Sequence, residues 1–278
     1  MSRIAVALQR IAPQHGLSRL AGALSRSRTP WLKRALIRTF TSLYAVNMSE
    51  AVREKLDDYT SFNDFFTRAL KPGARPLPGD QMIAVSPADG TISQAGRIET
   101  GRLLQAKGSA YELRTLIGES ADRFDGGTFA TIYLAPKDYH RVHMPVAGRL
   151  RKTRAIPGAL FSVNAATEAE IPSLFARNER LVCEFATAHG DLLVVLVGAM
   201  VVASIETVWG SPLSPYAREE TTIHDGPALQ RGAEIGRFLV GSTAIVCMQP
   251  GRAKLASGIR SGVSVKMGQP LLSLRSGG

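Results

Sequence analysis

Apolar residues recur at helical spacing only in the first quarter of the chain. Leu32, Leu36, Phe40 and Leu43 stand at i, i+4, i+8 and i+11, with Lys33, Arg34 and Arg38 on the other side, a pattern that predicts an amphipathic helix. Thr29-Pro30 marks its start, with a hydroxyl at the N-cap and proline in the first turn. Two shorter stripes precede it, Ile4/Leu8/Ile11 and Leu17/Leu20/Leu24, separated from each other by Pro13 and from the helix by a Ser/Arg-rich stretch at 25–30. Residues 49–70 also read as helical, with Ser61 as N-cap ahead of Asp64 and the Phe65-Phe66 pair. Lys71–Gly79 holds three prolines and breaks the period.

From about residue 82 the chain changes to short β-rich runs punctuated by glycine. They are Thr128–Leu134, Leu181–Thr187, Leu192–Val197, Phe238–Val240 with Ala244–Met248, and Val263–Val265. The longest apolar run, Leu192–Ile205, has 14 residues, short of the roughly 20 that cross a bilayer. It reads as two buried strands around Gly198. The expected architecture is α+β: N-terminal amphipathic helices, then a mostly antiparallel β body. Three regions follow from the pattern: a basic helical region at 1–48, a helical connector at 49–80 and a β-rich body at 81–278. Asp89–Ser93 with Gly101 onward echoes Ser261–Val265 with Gly268 onward, a cadence that resembles barrel-sandwich modules carrying biotin or lipoate. Lys266-Met267 lacks the Met-Lys-Met tip that biotin attachment needs, so the echo bears on fold alone.

Charge sharpens the picture of the arm. The chain of 278 residues carries a net +11, and residues 1–48 hold eight basic residues and no acidic one. The other 230 residues are nearly neutral. A basic amphipathic arm suits the surface of an anionic membrane; a helical cap packed on the body and a mitochondrial presequence are the competing readings. No aromatic interleaving or known motif accompanies the charge, so nucleic acid is not an expected partner. No continuous apolar region follows the first basic residues, which disfavours a secretory signal. Cys183 and Cys247 are the two cysteines. Their wide spacing suits neither a disulfide framework nor a structural zinc site and favours a reducing compartment.

Three stretches carry reactive groups. Ser86-Pro-Ala-Asp89-Gly90 places a carboxylate at a tight turn before a strand, either aimed into a cleft or bonded to its own backbone. Tyr133–Gly148 contains His140 and His143 between Pro136 and Pro145. That pair suits general acid–base work, metal ligation or a structural role, without the Glu of a zinc-binding HExxH. In Val240-Gly241-Ser242-Thr243-Ala244, Ala244 removes the GxSxG of a hydrolase elbow. A Gly-Ser peptide has another reaction open to it. The serine hydroxyl attacks the preceding carbonyl, which glycine leaves sterically open; the ester then eliminates, and hydrolysis leaves a pyruvoyl group.

Pro87-Ala-Asp89-Gly90, Asp138-Tyr-His140-Arg-Val-His143-Met-Pro145 and Gly241-Ser242-Thr243 together resemble the bacterial phosphatidylserine decarboxylases. So do Leu160–Asn164, Leu174–Arg180, Val197–Ala199 and Ser204–Trp209, in the same order from about residue 44 to the end. The resemblance implies a proenzyme that cleaves itself between Gly241 and Ser242 through Asp89, His143 and Ser242. The products are a large chain, 1–241, and a small chain, 242–278. Ser242 becomes a covalent pyruvoyl cofactor that forms a Schiff base with the substrate amine, and His140 matches the histidine of the decarboxylation cycle. The implied reaction converts phosphatidylserine to phosphatidylethanolamine and CO2 in phospholipid biosynthesis. It implies no metal, a homodimer, and a peripheral place on the cytoplasmic side of the cell membrane. Val240 and Ala203 depart from the leucine and glycine usual in the family; neither change removes a reactive group. Two rivals remain: a serine hydrolase using the same three residues on an external acyl group, and a membrane-associated carrier or adaptor. Both predict an intact chain.

Overall fold

The computed structural model describes Gln9 and residues 14–199, 204–212, 214–223, 225–239 and 242–275. Ile4, Leu8, Ile11, Ala203, Val240 and Gly241 lie outside these residues, as does the side chain of Ser242. Helix α1 (Gln14–Arg26) is followed by α2 (Pro30–Leu43), which starts with Pro30 behind Thr29. One side of α2 is docked: Ile37 is buried, and Leu36 and Phe40 pack with Tyr59, Phe62, Phe65 and Phe66. Elsewhere the arm leaves apolar side chains in solvent, with Trp31 71% and Leu43 72% exposed. Two glutamines stitch the arm to the body. Gln14 Oε1 accepts the Leu160 N–H at 2.7 Å, and Gln9 Oε1 accepts that of Ser162 at 3.0 Å. No described helix is long and apolar enough to cross a membrane.

The connector departs from expectation. In place of helix over 49–70 the chain makes a single 3-10 turn at Leu56–Asp58 and a short helix, α3 (Phe62–Phe66). Its ends pair with each other instead. Ala51 and Leu70 form an antiparallel bridge, and the Val52 and Lys71 N–H groups donate to Ala69 and Glu50 carbonyls, each at 2.9 Å. A loop closed at both ends leaves little length for helix. Ser61 does cap α3, accepting the Asp64 N–H at 3.2 Å.

The body begins with β1 (Ile83–Val85), β2 (Gly90–Arg97), β3 (Arg102–Leu104), β4 (Ala110–Glu112), α4 (Leu113–Ile117) and β5 (Thr128–Leu134). Next come β6 (Arg141–His143), β7 (Gly148–Ile156), α5 (Ala165–Glu170), α6 (Leu174–Arg177), β8 (Arg180–Thr187), β9 (Gly190–Val197) and β10 (Ile205–Thr207). Last are β11 (Glu220–Ile223), β12 (Ala228–Leu229), β13 (Glu234–Phe238), β14 (Ser242–Met248), β15 (Ala253–Leu255), β16 (Ser264–Val265) and β17 (Pro270–Leu274). A nine-stranded sheet runs β11-β7-β8-β9-β14-β5-β2-β16, with β12 also on β7. The pairings among these named strands are antiparallel, and the sheet does not close into a barrel. This is the expected α+β body, and the barrel-sandwich likeness goes no further than the pairing of its echoed segments: Thr91 lies opposite Ser264 and Gly90 opposite Val265.

The unbroken apolar runs have a simple cause. β14 is central, and both its faces are covered. Ala244, Val246 and Met248 point into one core with Val142, Met144 and Leu272; Ile245 and Cys247 point into another with Tyr111, Leu113 and Phe175. Alternation of apolar and polar residues disappears when neither face meets water. In a separate three-stranded sheet, β1-β17-β15, β1 pairs with β17, so the last strand clasps the first.

Candidate active site

The candidate residues gather where β5 ends. Its last residue, Leu134, lies opposite the backbone of Ser242, the first residue of β14. On the other side of β5, Thr91 lies opposite Tyr133, so the Asp89-Gly90 turn enters β2 at the same end. Two strand spacings, about 10 Å, separate that turn from the start of β14. Gly90 is required by close approach: a Cβ there would fall 2.3 Å from the Tyr133 carbonyl oxygen.

A tight turn carries His140 back onto β5. Pro136 presets the turn. The Asp138 N–H donates to the Ala135 carbonyl at 2.9 Å, and the Asp138 carboxylate accepts the Ala135 N–H at 2.8 Å. His140 is fully buried, and its carbonyl accepts the Phe238 N–H at 3.0 Å, four residues before Ser242. Its Nε2 lies 3.1 Å from the Ala135 oxygen. A carbonyl can only accept, so Nε2 carries the proton and Nδ1 keeps a lone pair, buried and without a partner among the described residues. The ring stacks on Phe66 at 4.0 Å between centroids. Burial, with the charge of Arg68 acting the same way, pulls its pKa down to about 3.

His143 takes the opposite tautomer. Its Nδ1 is 2.8 Å from the Gly232 carbonyl and so bears the proton; Nε2 accepts the Tyr139 hydroxyl at 3.1 Å. Burial holds this imidazole below its ordinary range, while the Gly232 carbonyl and the charges of Glu234 and Asp89 favour its protonated form. Tyr139, pushed up to about 12 mainly by burial, remains a donor.

Asp89 lies on the segment beside His143, whose N–H donates to the Pro87 carbonyl at 2.8 Å. Its carboxylate is nevertheless bonded elsewhere. Arg75 Nε reaches Asp89 Oδ1 at 2.9 Å, its Nη2 bonds Oδ2, and the Met267 N–H donates to Oδ1 at 2.8 Å. Arg75 Nη2 also reaches Glu50 at 2.8 Å, and Glu50 holds Lys266 at 3.1 Å. Among the described residues Asp89 thus acts on His143 by charge at a distance, with both ring nitrogens bonded to other groups. Leu134, opposite the backbone of Ser242, lines a mostly apolar cavity of about 640 Å³ together with Phe40 and Leu43 of the arm, Phe66 of α3, and Val163.

The family described as phosphatidylserine decarboxylase matches residues 62–273, and one described as PSD matches residues 4–45. The phosphatidylserine decarboxylase proenzyme of Bordetella avium is 55% identical over 259 residues, covering 91% of this chain and 88% of its own. That of Pseudomonas putida strain F1 is 52% identical over 279 residues, with 97% of each covered; that of Methylococcus capsulatus is 50% identical over 280 residues, with 98% and 97% covered. The chain belongs to the phosphatidylserine decarboxylase family. It is accordingly a lyase-type enzyme, and the hydrolase and carrier readings fall away.

Several residues of this decarboxylase site were not singled out from the sequence. Arg75 stood in a stretch read as a boundary, and its partners lie 14 and 25 positions away. Phe66 reads along the chain only as half of an aromatic pair in a helical stretch, and Arg68 and Gly232 carry no local signal. Tyr139 did carry one, standing directly before His140 and four residues before His143.

Proposed function

We propose that the chain is a proenzyme that cleaves itself between Gly241 and Ser242 and then converts phosphatidylserine to phosphatidylethanolamine and CO2. The supporting observation is the meeting of three features at one end of β5. The backbone of residue 242, the turn bearing His140 and an apolar cavity roofed by the arm converge there. In the cleavage step the Ser242 hydroxyl attacks the Gly241 carbonyl carbon and gives up its proton to His143 Nε2. The C–N bond breaks as an ester forms; loss of the Cα proton breaks the Cβ–O bond and frees the Gly241 carboxylate. One water then replaces the nitrogen, releasing ammonia and leaving a pyruvoyl group. Tyr139 must release Nε2 for this step, the Gly232 carbonyl keeps the ring oriented, and the negative charge of Asp89 favours the imidazolium.

The surroundings fit such a group. Among the described residues, Thr243 Oγ1, next to residue 242 in sequence, and His140 Nδ1 are buried and lack partners. A pyruvoyl carbonyl, joined to the serine headgroup through its amine, would supply the electron sink for loss of the headgroup carboxylate as CO2. His140 holds or delivers the proton at the substrate Cα, and the cavity takes the apolar part of the lipid. The arm, with Trp31 and Leu43 in solvent beside basic Arg34 and Arg38, supports peripheral binding to an anionic cytoplasmic leaflet.

Intact mass under denaturing conditions tests the first half, and release of CO2 from phosphatidylserine vesicles the second. Wild type should give two fragments, the smaller bearing a pyruvoyl terminus, and Ser242→Ala one uncleaved chain. A single chain from both would overturn the reading.

A further inference from the structure

Three consecutive residues grip the turn that carries His140. The Phe66 ring stacks on the imidazole, the Thr67 carbonyl accepts Arg141 Nε at 2.9 Å, and Arg68 Nη2 donates to the Lys137 and Asp138 carbonyls at 3.1 and 3.3 Å. Arg68 is 3% exposed, yet its Nε and Nη1 find no acceptor among the described residues. A guanidinium this deep, bonded to carbonyls and not to a carboxylate, is a poor device for stability, since an apolar side chain would fill the space without unpaired N–H groups. Its cost points to a role in the site.

We propose that Arg68 is a positioning residue for His140, fixing the turn that presents the imidazole and placing an unpaired positive charge beside it. The proposal rests on the decarboxylase reading only for the use made of His140. Arg68 opposes a second positive charge on the ring, in the same direction as burial, so the ring stays neutral with its Nδ1 lone pair available. From the turn itself the carboxylate facing Arg68 is Asp138, already bonded to the Ala135 N–H; Tyr59 and Asp89 act on Arg68 more strongly in the same sense as Asp138, and Arg75 opposes them. Phe238 of β13, which bonds the His140 backbone, brings no charge.

The test is an NMR titration of the full chain in micelles with isotope-labelled histidine, His140 being assigned by difference from His140→Asn. In Arg68→Met the protonated fraction of His140 at pH 5 should rise about tenfold, the equivalent of one pH unit. The acid limb of CO2 release should move the same way. Arg68→Lys should keep the ring neutral while kcat falls several-fold, because a flexible ammonium does not hold the turn as the rigid, planar guanidinium does. An unchanged His140 titration in folded Arg68→Met overturns the proposal. Should that variant not fold, wild-type kcat in Arg68→Lys overturns it equally. A shifted titration in a protein that releases no CO2 even as wild type sinks the decarboxylase reading and leaves the positioning role standing.

Discussion

The imidazole of His140 lies on the ring of Phe66, with centroids 4.0 Å apart and planes 23° from parallel. Phe66 in turn meets Phe40 of α2 edge-on at 5.7 Å. A row of three rings therefore joins the basic arm to the buried histidine, and the arm is part of the site's wall.

Phe66→Leu keeps an apolar side chain but removes the flat surface under the imidazole. Self-cleavage should remain complete, since His143 and Asp89 do not touch this ring, while kcat for CO2 release drops about tenfold. The volume lost in a packed core should cost about 1–2 kcal/mol of stability. Intact mass, vesicle assay and urea unfolding separate the three effects; wild-type kcat would show that the stacking is incidental.

Arg75 holds Asp89 with both side chains largely buried. Arg75→Met leaves a buried carboxylate with only the Met267 N–H as a described partner and should destabilise the protein by about 3–5 kcal/mol. Self-cleavage should slow sharply as Asp89 loses its fixed position. A time course of fragment appearance checks this, and unimpaired cleavage in the variant would remove Asp89's placement from the mechanism.

Acid should unfold this protein early. Burial holds both site histidines below their ordinary value, His140 at about 3. Between pH 6.5 and 3 the unfolded chain binds protons that the folded chain refuses, so stability is complete above about pH 6.5 and declines as the pH falls through that window. For His140 alone the loss from pH 7 to pH 5 is about 2 kcal/mol. Urea midpoints at pH 7, 6 and 5 measure it. His140→Gln should flatten the dependence, and parallel curves for variant and wild type would refute the assignment.

After cleavage the fragment from residue 242 onward should stay bound without a covalent link. Its first strand is inserted between β9 and β5, and Ile245, Val246, Met248, Leu271 and Leu272 are fully buried. At about 2 kcal/mol each they contribute on the order of 10 kcal/mol to its retention. Cys183 and Cys247 are free and buried, so no disulfide takes part. Size exclusion in mild detergent should show one species that separates in urea even without reductant; separation in detergent alone would contradict the insertion.

Much of this was legible along the chain. The Pro30 helix start, the Ser61 cap, the apolar runs of β9 and β14 and the α+β class all depend on neighbours within four or five positions or on simple periodicity. Asp89, His140, His143 and Ser242 were legible as reactive groups because each stands in a short distinctive setting. Resemblance, and not spacing, supplied their roles. The connector misled because residues 49–70 carry helical character locally, while the pairing of Ala51 with Leu70 is a closure that no local period encodes.

Tertiary structure decided the partners. Asp89 finds Arg75 and Met267, His143 finds Gly232 from 89 positions away, and Arg68 reaches the His140 turn across about 70. Such bonds depend on which strands lie side by side and in what register. Composition and local propensity specify that a residue is reactive or that a strand is apolar. They do not specify which buried donor meets which acceptor, because that choice is made by the packing of the whole sheet and its coverings.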